Sequence, residues 1–187
     1  MFHTRSVRRV VTGHDAAGKA IFVSDEWVDP VTAALLPGSE FHQLWAGDAP
    51  PSFPDDGSLP AVTTYFPAAG GFRFGQFSIP PESTPPPGAD VDVEAAVAEV
   101  DAKLPGLLWH MEADAPGMHT TSTIDFEVVL DGEVWLELDD GVEVHLQPGD
   151  CVVQNGTRHA WRNHGDVTAR LAVILLGAHH EKIRPPT

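Results

Sequence analysis

Seventeen prolines and seventeen glycines punctuate the 187 residues and leave few long uninterrupted stretches. Proline lacks an amide donor and clashes inside a helix, and glycine frees the backbone for turns. The pieces between them are short, and many alternate apolar with polar side chains, the pattern of strands joined by turns. Residues 8–11 and 20–23 flank His14-Asp15-Ala16-Ala17-Gly18 and read as a β-hairpin. Residues 40–45, 62–66 and 72–79 read as further strands, with Gly70-Gly71 as a turn and the proline-rich 80–88 as a surface loop. Residues 91–103 are the exception: Ala and Val with interspersed acids, stopped by Pro105-Gly106, predict one short helix. Beyond Met118 the chain reads as strand and turn throughout. Strands are expected over 133–138, 142–147, 151–154 and 169–176. In 142–147, Val142, Val144 and Leu146 alternate with Glu143, His145 and Gln147, as in a half-buried strand. The fold class is all-β, a closed or sandwiched antiparallel barrel.

The length suits one domain with a proper core. Lys and Arg total 11 against 27 Asp and Glu, a formal charge of −16. Such a surface repels phosphate backbones and anionic headgroups, so neither nucleic acid nor a membrane is an expected partner. Cys151 is the only cysteine, which excludes an internal disulfide, and it reads as a small buried hydrophobe. The basic start, residues 1–11, has no apolar stretch behind it, and the longest apolar run, 171–178, is too short to span a bilayer. The expected location is the cytoplasm.

Strand periodicity sorts the chemistry. Residues two apart share a face, so His119, Thr121, Thr123, Asp125 and Glu127 point one way and Ile124, Phe126 and Val128 the other. His159, Trp161 and Asn163 likewise share a face. If both polar faces look into one barrel, two imidazoles and a carboxylate meet in an apolar cavity. That set suits non-heme Fe(II), and also Zn, Ni or Mn. In the other reading the barrel is empty, and the histidines are buried polar groups bonded to the threonine hydroxyls and the acids. Phe72 and Phe74 are expected on a core or lid face, with Arg73 pointing away. The remaining histidines read as outside the site: His110 precedes the stretch from His119 and could only approach the barrel mouth, His145 faces solvent, and His164 is off the face of His159.

The stretch from Gly117 and His119 through Thr121, Asp125 and Glu127 to Gly132 resembles the first motif of the cupin superfamily, His-x-His, three or four residues, Glu, six residues, Gly. His119 takes the first place, Thr121 the second histidine place and Asp125 the glutamate place. Gly149-Asp150 through Gln154, Gly156, His159 and Asn163 resembles the second motif, with Gln154 where proline is usual and one residue fewer after Gly149. The resemblance implies a jelly-roll barrel over 1–187: N-terminal strands in 1–80, linker and helix in 81–107, and the core motifs in 108–178. It implies a divalent metal (Fe, Zn, Ni or Mn) on His119, Asp125 and His159, with Thr121, Thr123 and Trp161 binding substrate. Glu127, on the same face, would then shuttle the proton or take the place of Asp125 as the ligand. The expected function is a metal-dependent enzyme on a small organic molecule: a lyase, decarboxylase, dehydratase or isomerase, or a dioxygenase. The alternative is a non-catalytic barrel that only holds a small ligand, without a metal. The N-terminal strands and the outward Ile124, Phe126 and Val128 predict a homodimer.

Overall fold

The computed structural model describes residues 6–181, so residues 1–5 of the basic start lie outside the described part. In chain order it holds β1 (Val7–His14), β2 (Ala20–Val28), β3 (Phe41–Gly47), β4 (Phe72–Ile79), α1 (Val93–Lys103), β5 (Thr123–Asp131), β6 (Val134–Glu137), β7 (Glu143–Leu146), β8 (Cys151–Gln154), β9 (Ala160–Arg162) and β10 (Ala169–Gly177). A five-stranded sheet runs β3-β4-β10-β5-β8 and a three-stranded sheet β7-β6-β9. All strand pairs are antiparallel, and the two sheets make the jelly-roll barrel. Because β3 and β4 hydrogen-bond into the sheet that holds β5, β8 and β10, the N-terminal third is part of the barrel wall. The hairpin β1–β2 is longer than its periodicity predicts and forms its own two-stranded sheet instead of extending the others.

Two apolar clusters close the barrel. Val129, Val134, Leu146, Ala169 and Leu171 fill one end, with Phe77 and Trp161 packed on them. At the other, α1 lays Val100 and Leu104 against Ala33 and Leu107, with Phe41, Tyr65 and Phe66 at the edge. The helix starts where the Asp92 carboxylate accepts from the Ala95 amide at 3.1 Å, and a Glu99–Lys103 pair braces its last turn. Between β6 and β7, Asp140 and Gly141 both have positive φ (61° and 70°), the conformation that an Asp-Gly hairpin turn favours.

Four sequence expectations are corrected. Residues 62–66 form no strand: the Tyr65 amide donates to Pro105 O, and Thr64 O accepts from Arg73, so their backbone groups are satisfied outside a ladder. Arg73 is buried and Phe74 exposed, the reverse of the expected faces. The guanidinium is drawn inward by the carbonyls of Gly47, Phe72 and Thr64 and by Asp48 Oδ1 at 2.7 Å. In β7, an edge strand, only Leu146 is buried, while Val142 and Val144 are exposed. Cys151 is exposed rather than core, because β8 is the edge of its sheet.

The register lines up an apolar row across the outer face of the large sheet: Trp45 opposite Phe74, Phe74 opposite Ile174, Ile174 opposite Phe126, and Phe126 opposite Val153. The last four are exposed. On the far side of β10, the loop after residue 66 lies on Gly177, whose amide donates to Gly71 O at 2.9 Å. A Cβ on Gly177 would sit 1.9 Å from Ala68 O. Gly177→Ala should therefore destabilise by about 1–3 kcal/mol or more, read as the denaturant midpoint. An unchanged midpoint would contradict this packing.

Candidate functional site

His119 and His159 come from different motifs and are joined by a reciprocal backbone pair: each amide donates to the other's carbonyl at 2.9 Å. Directly opposed residues of an antiparallel pair present side chains on one face, and the two ring centroids lie 4.1 Å apart. The Nδ1 of His119 donates to Gly117 O at 3.0 Å, and the Nδ1 of His159 to Thr157 O at 2.9 Å. A carbonyl only accepts, so Nδ1 carries the proton and Nε2 keeps its lone pair. Burial pushes both imidazoles below the usual histidine range. For His159 the value falls to about 3, through burial first and then its neighbour His119. Both rings are neutral near pH 7.

The inward face of β5 and the residues before it is buried as the alternation predicts: Thr121, Thr123, Asp125 and Glu127. The two threonine hydroxyls bond each other at 2.7 Å. Neither threonine is among the residues that line the central cavity, whereas Trp161 is. Asp125 Oδ1 and Glu127 Oε2 are buried without a hydrogen-bond partner. Gln154, opposite Asp125 in register, accepts from Thr157 Oγ1 at 2.8 Å, and its own Nε2 is unpartnered. Burial raises Asp125 to about 6, against a smaller lowering by the Thr123 hydrogen bond. Burial and then the charge of Asp125 raise Glu127 to about 8. A pair of carboxyls pushed apart on either side of neutrality is an arrangement for acid–base work.

The cavity measures about 210 Å³ and lies between the two apolar clusters. Its lining is apolar except where His119, His159, Asp125, Glu127, Tyr65 and two serines face it, and it includes no Lys or Arg. Tyr65 is the residue that sequence reasoning missed. Its phenol is raised above the usual range by burial and by Asp125 and Glu127. The only available signal was that it is the chain's single tyrosine, and reading residues 62–66 as a strand hid it. His110 stands behind the wall, with its ring 4.7 Å from Phe66. Asn163 donates to Ile79 O and Val167 O, so it holds backbone. On the outer surface His145 stacks on Trp135 and bonds Glu133, and His164 bridges Glu82 and Glu143. The two carboxylates hold the His164 imidazole above its ordinary range.

Among the described residues, no group of three or more His, Cys, Asp or Glu side chains is placed to hold a metal ion. The structure brings His119 and His159 together, but does not gather Asp125 with them as a third ligand. Thr121, at the second histidine place, spends its hydroxyl on Thr123. The residues present therefore do not fit a closed three-ligand centre.

Known proteins share this architecture. A cupin domain family model matches residues 108–175, which span both motifs. Phomopsin biosynthesis cluster protein C' of Diaporthe leptostromiformis is 32% identical over 180 residues, covering 93% of this chain and 80% of that protein. The cupin-domain-containing oxidoreductase srdB of Neurospora crassa is 30% identical over 174 residues, covering 90% of this chain and 72% of its own. Among solved structures, a Cupin 2 conserved barrel domain protein from Salinispora arenicola is 14% identical, covers 79% of this chain and 82% of its own, and superposes with a TM-score of 0.41. Among the described residues no helix is long and apolar enough to cross a membrane. With both motifs in place around the His119–His159 pair, and relatives that align along nearly its whole length, the chain belongs to the cupin family.

Proposed function

We propose that this chain is an enzyme that moves protons on a small organic molecule held in the barrel, an isomerisation or dehydration without net redox change. One observation carries the reading: two neutral imidazoles and two buried carboxyls, each with one oxygen that lacks a hydrogen-bond partner, share one apolar cavity. Near pH 7, Asp125 is mostly ionised and Glu127 mostly protonated. Asp125 can take a proton from carbon beside a carbonyl, while Glu127 gives its proton to the carbonyl oxygen, forming an enol. Return of a proton at another carbon, or loss of a hydroxide as water, completes the step. The Neurospora relative's name, oxidoreductase, supports an enzymatic role without fixing this reaction.

Solvent-deuterium exchange into 2-tetralone, a compact ketone with acidic C–H bonds, tests the chemistry. The rate should rise as pH passes about 6, where Asp125 ionises, and fall as it passes about 8, where Glu127 ionises. Glu127→Gln should lower it ~10²–10⁴-fold. The same variant has a substrate-free signature. Folded Glu127 keeps its proton up to about 8, against 4.5 as the ordinary value. Stability linked to this group is thus full below 4.5 and lost as pH rises through 8. Glu127→Gln should melt higher than the unaltered protein at pH 9 and nearly equal to it at pH 4. A flat pH profile, or equal melting at pH 9, would contradict the assignment.

A metal-dependent enzyme is the second reading, with Fe, Zn, Ni or Mn held by His119 and His159, and by Asp125 only if its side chain moved to join them. It is favoured by the two anchored Nδ1 atoms, which hold both Nε2 lone pairs in fixed directions. Elemental analysis of protein purified without chelators or nickel resin decides between them. The acid–base reading expects well under one equivalent of metal. A full equivalent that His159→Ala removes would overturn it in favour of the metal. Selective ligand binding with no exchange in any ketone would favour a barrel that only binds.

We also propose a homodimer through the outer face of the five-stranded sheet, where Phe74, Ile174, Phe126 and Val153 are exposed in one row. An apolar patch of this kind on a soluble protein needs cover, and a second copy supplies the same row. Light scattering should give twice the 20.1 kDa chain mass, and Phe126→Glu should return it to one. A 20.1 kDa particle for the unaltered chain at micromolar concentration would contradict the dimer.

A further inference from the structure

We infer that the barrel's ligand is an uncharged, flat, largely aromatic molecule of about ten non-hydrogen atoms, whose single hydroxyl or carbonyl oxygen is held by the Tyr65 phenol. The inference rests on the reading that the cavity is the substrate site, and adds what that substrate must be.

Three observations carry it. The first is shape. Phe77 and Trp161, with centroids 6.2 Å apart, stand on the barrel-end cluster. Phe41, Tyr65 and Phe66 stand on the helix-end cluster, their rings meeting edge to face at 5.9 and 5.0 Å. Two aromatic walls about a space near 210 Å³ favour a flat ring system over an extended chain. A cavity of about 150 Å³ holds benzene, so this one takes a fused pair of rings.

The second observation is charge. The lining includes two carboxyl groups and no Lys or Arg. Arg73, Arg158, Arg162 and Arg170 are each spent on carbonyls or carboxylates elsewhere. A carboxylate or phosphate entering here would lose its hydration, find no Lys or Arg among the described residues of the lining, and sit beside Asp125 and Glu127. An uncharged oxygen meets none of these costs.

The third is the position of polarity. Tyr65 lines the cavity from the helix end, close enough to Asp125 and Glu127 to feel their charges. A phenol is a directional donor on a stiff ring, with little freedom to lose when a ligand binds. It can donate to one lone pair of the ligand oxygen while Glu127 serves the other and Asp125 faces the adjacent carbon.

Paired probes of one skeleton test this by calorimetry at pH 7: 2-naphthol, naphthalene and 2-naphthoate, with the protein as purified. 2-Naphthol should bind at least tenfold tighter than 2-naphthoate. Tyr65→Phe should weaken 2-naphthol about fivefold, the loss of roughly one hydrogen bond, and leave naphthalene unchanged. Met111→Lys, which places a cation on the lining, should raise 2-naphthoate affinity and lower that of 2-naphthol. Equal or tighter 2-naphthoate binding to the unaltered protein, or no binding of any probe, would overturn the inference. So would equal weakening of naphthalene and 2-naphthol in Tyr65→Phe, which would make the residue a packing ring. Binding selectivity is read without turnover. Selective 2-naphthol binding without ketone exchange sinks the enzymatic reading and leaves this one standing, and exchange without selectivity does the reverse.

Discussion

The reciprocal backbone pair between His119 and His159 is the contact on which the site depends. It ties the residues before β5 to those before β9, and so joins the two sheets at the mouth of the barrel. Because the residues are directly opposed, both rings must turn to the same side. Each ring is then fixed by a carbonyl two residues earlier in its own segment. The second ring thus arrives beside the first, with centroids 4.1 Å apart, between the apolar clusters at either end.

An apolar cavity lining shifts the neighbouring acids. Asp125 and Glu127 alternate on the inward face of β5, whose other face carries Phe126 and Val128 outward. Neither carboxyl has a cation beside it, so burial raises both and the charge of one raises the other further. The arrangement costs stability at high pH, as buried acids do. Proteins keep such groups where they act. In the proposed reading, the missing cation that leaves both acids raised also sets the ligand's charge, so one deficit would account for both reactivity and selectivity.

Much of this was legible in the sequence because strand periodicity is rigid. A period of two places His119 with Thr121, Thr123, Asp125 and Glu127, and the burial follows it from Thr121 onward, while His119 is half-buried beside the buried Met118. The turn residues and the proline and glycine stops locate most strands and α1 within a few positions. What failed to show was whatever depends on side chains meeting across the fold. Arg73 turns inward because carbonyls of Gly47 and Thr64 arrive there, and no local pattern announces that. Tyr65 reaches the cavity from a segment whose backbone bonds lie with Pro105 and Arg73, so its apolar neighbours imitate a strand. Val142, Val144 and Cys151 are exposed because their strands are edges, and alternation cannot tell an edge from a centre. The metal expectation came from the spacing of His119, Asp125 and His159. Spacing puts them on the cavity but says nothing of whether three ligands converge.

The central claim is that His119 and His159 are neutral, anchored through Nδ1 and open at Nε2. Nitrogen-15 NMR of the imidazoles reads this directly, since protonated and lone-pair nitrogens resonate far apart. At pH 7 both rings should show a protonated Nδ1 and a bare Nε2, and His159 should stay neutral down to about pH 4, consistent with its depression to about 3. An Nε2–H tautomer on either ring, or a His159 that titrates near its ordinary 6.5, would contradict the account.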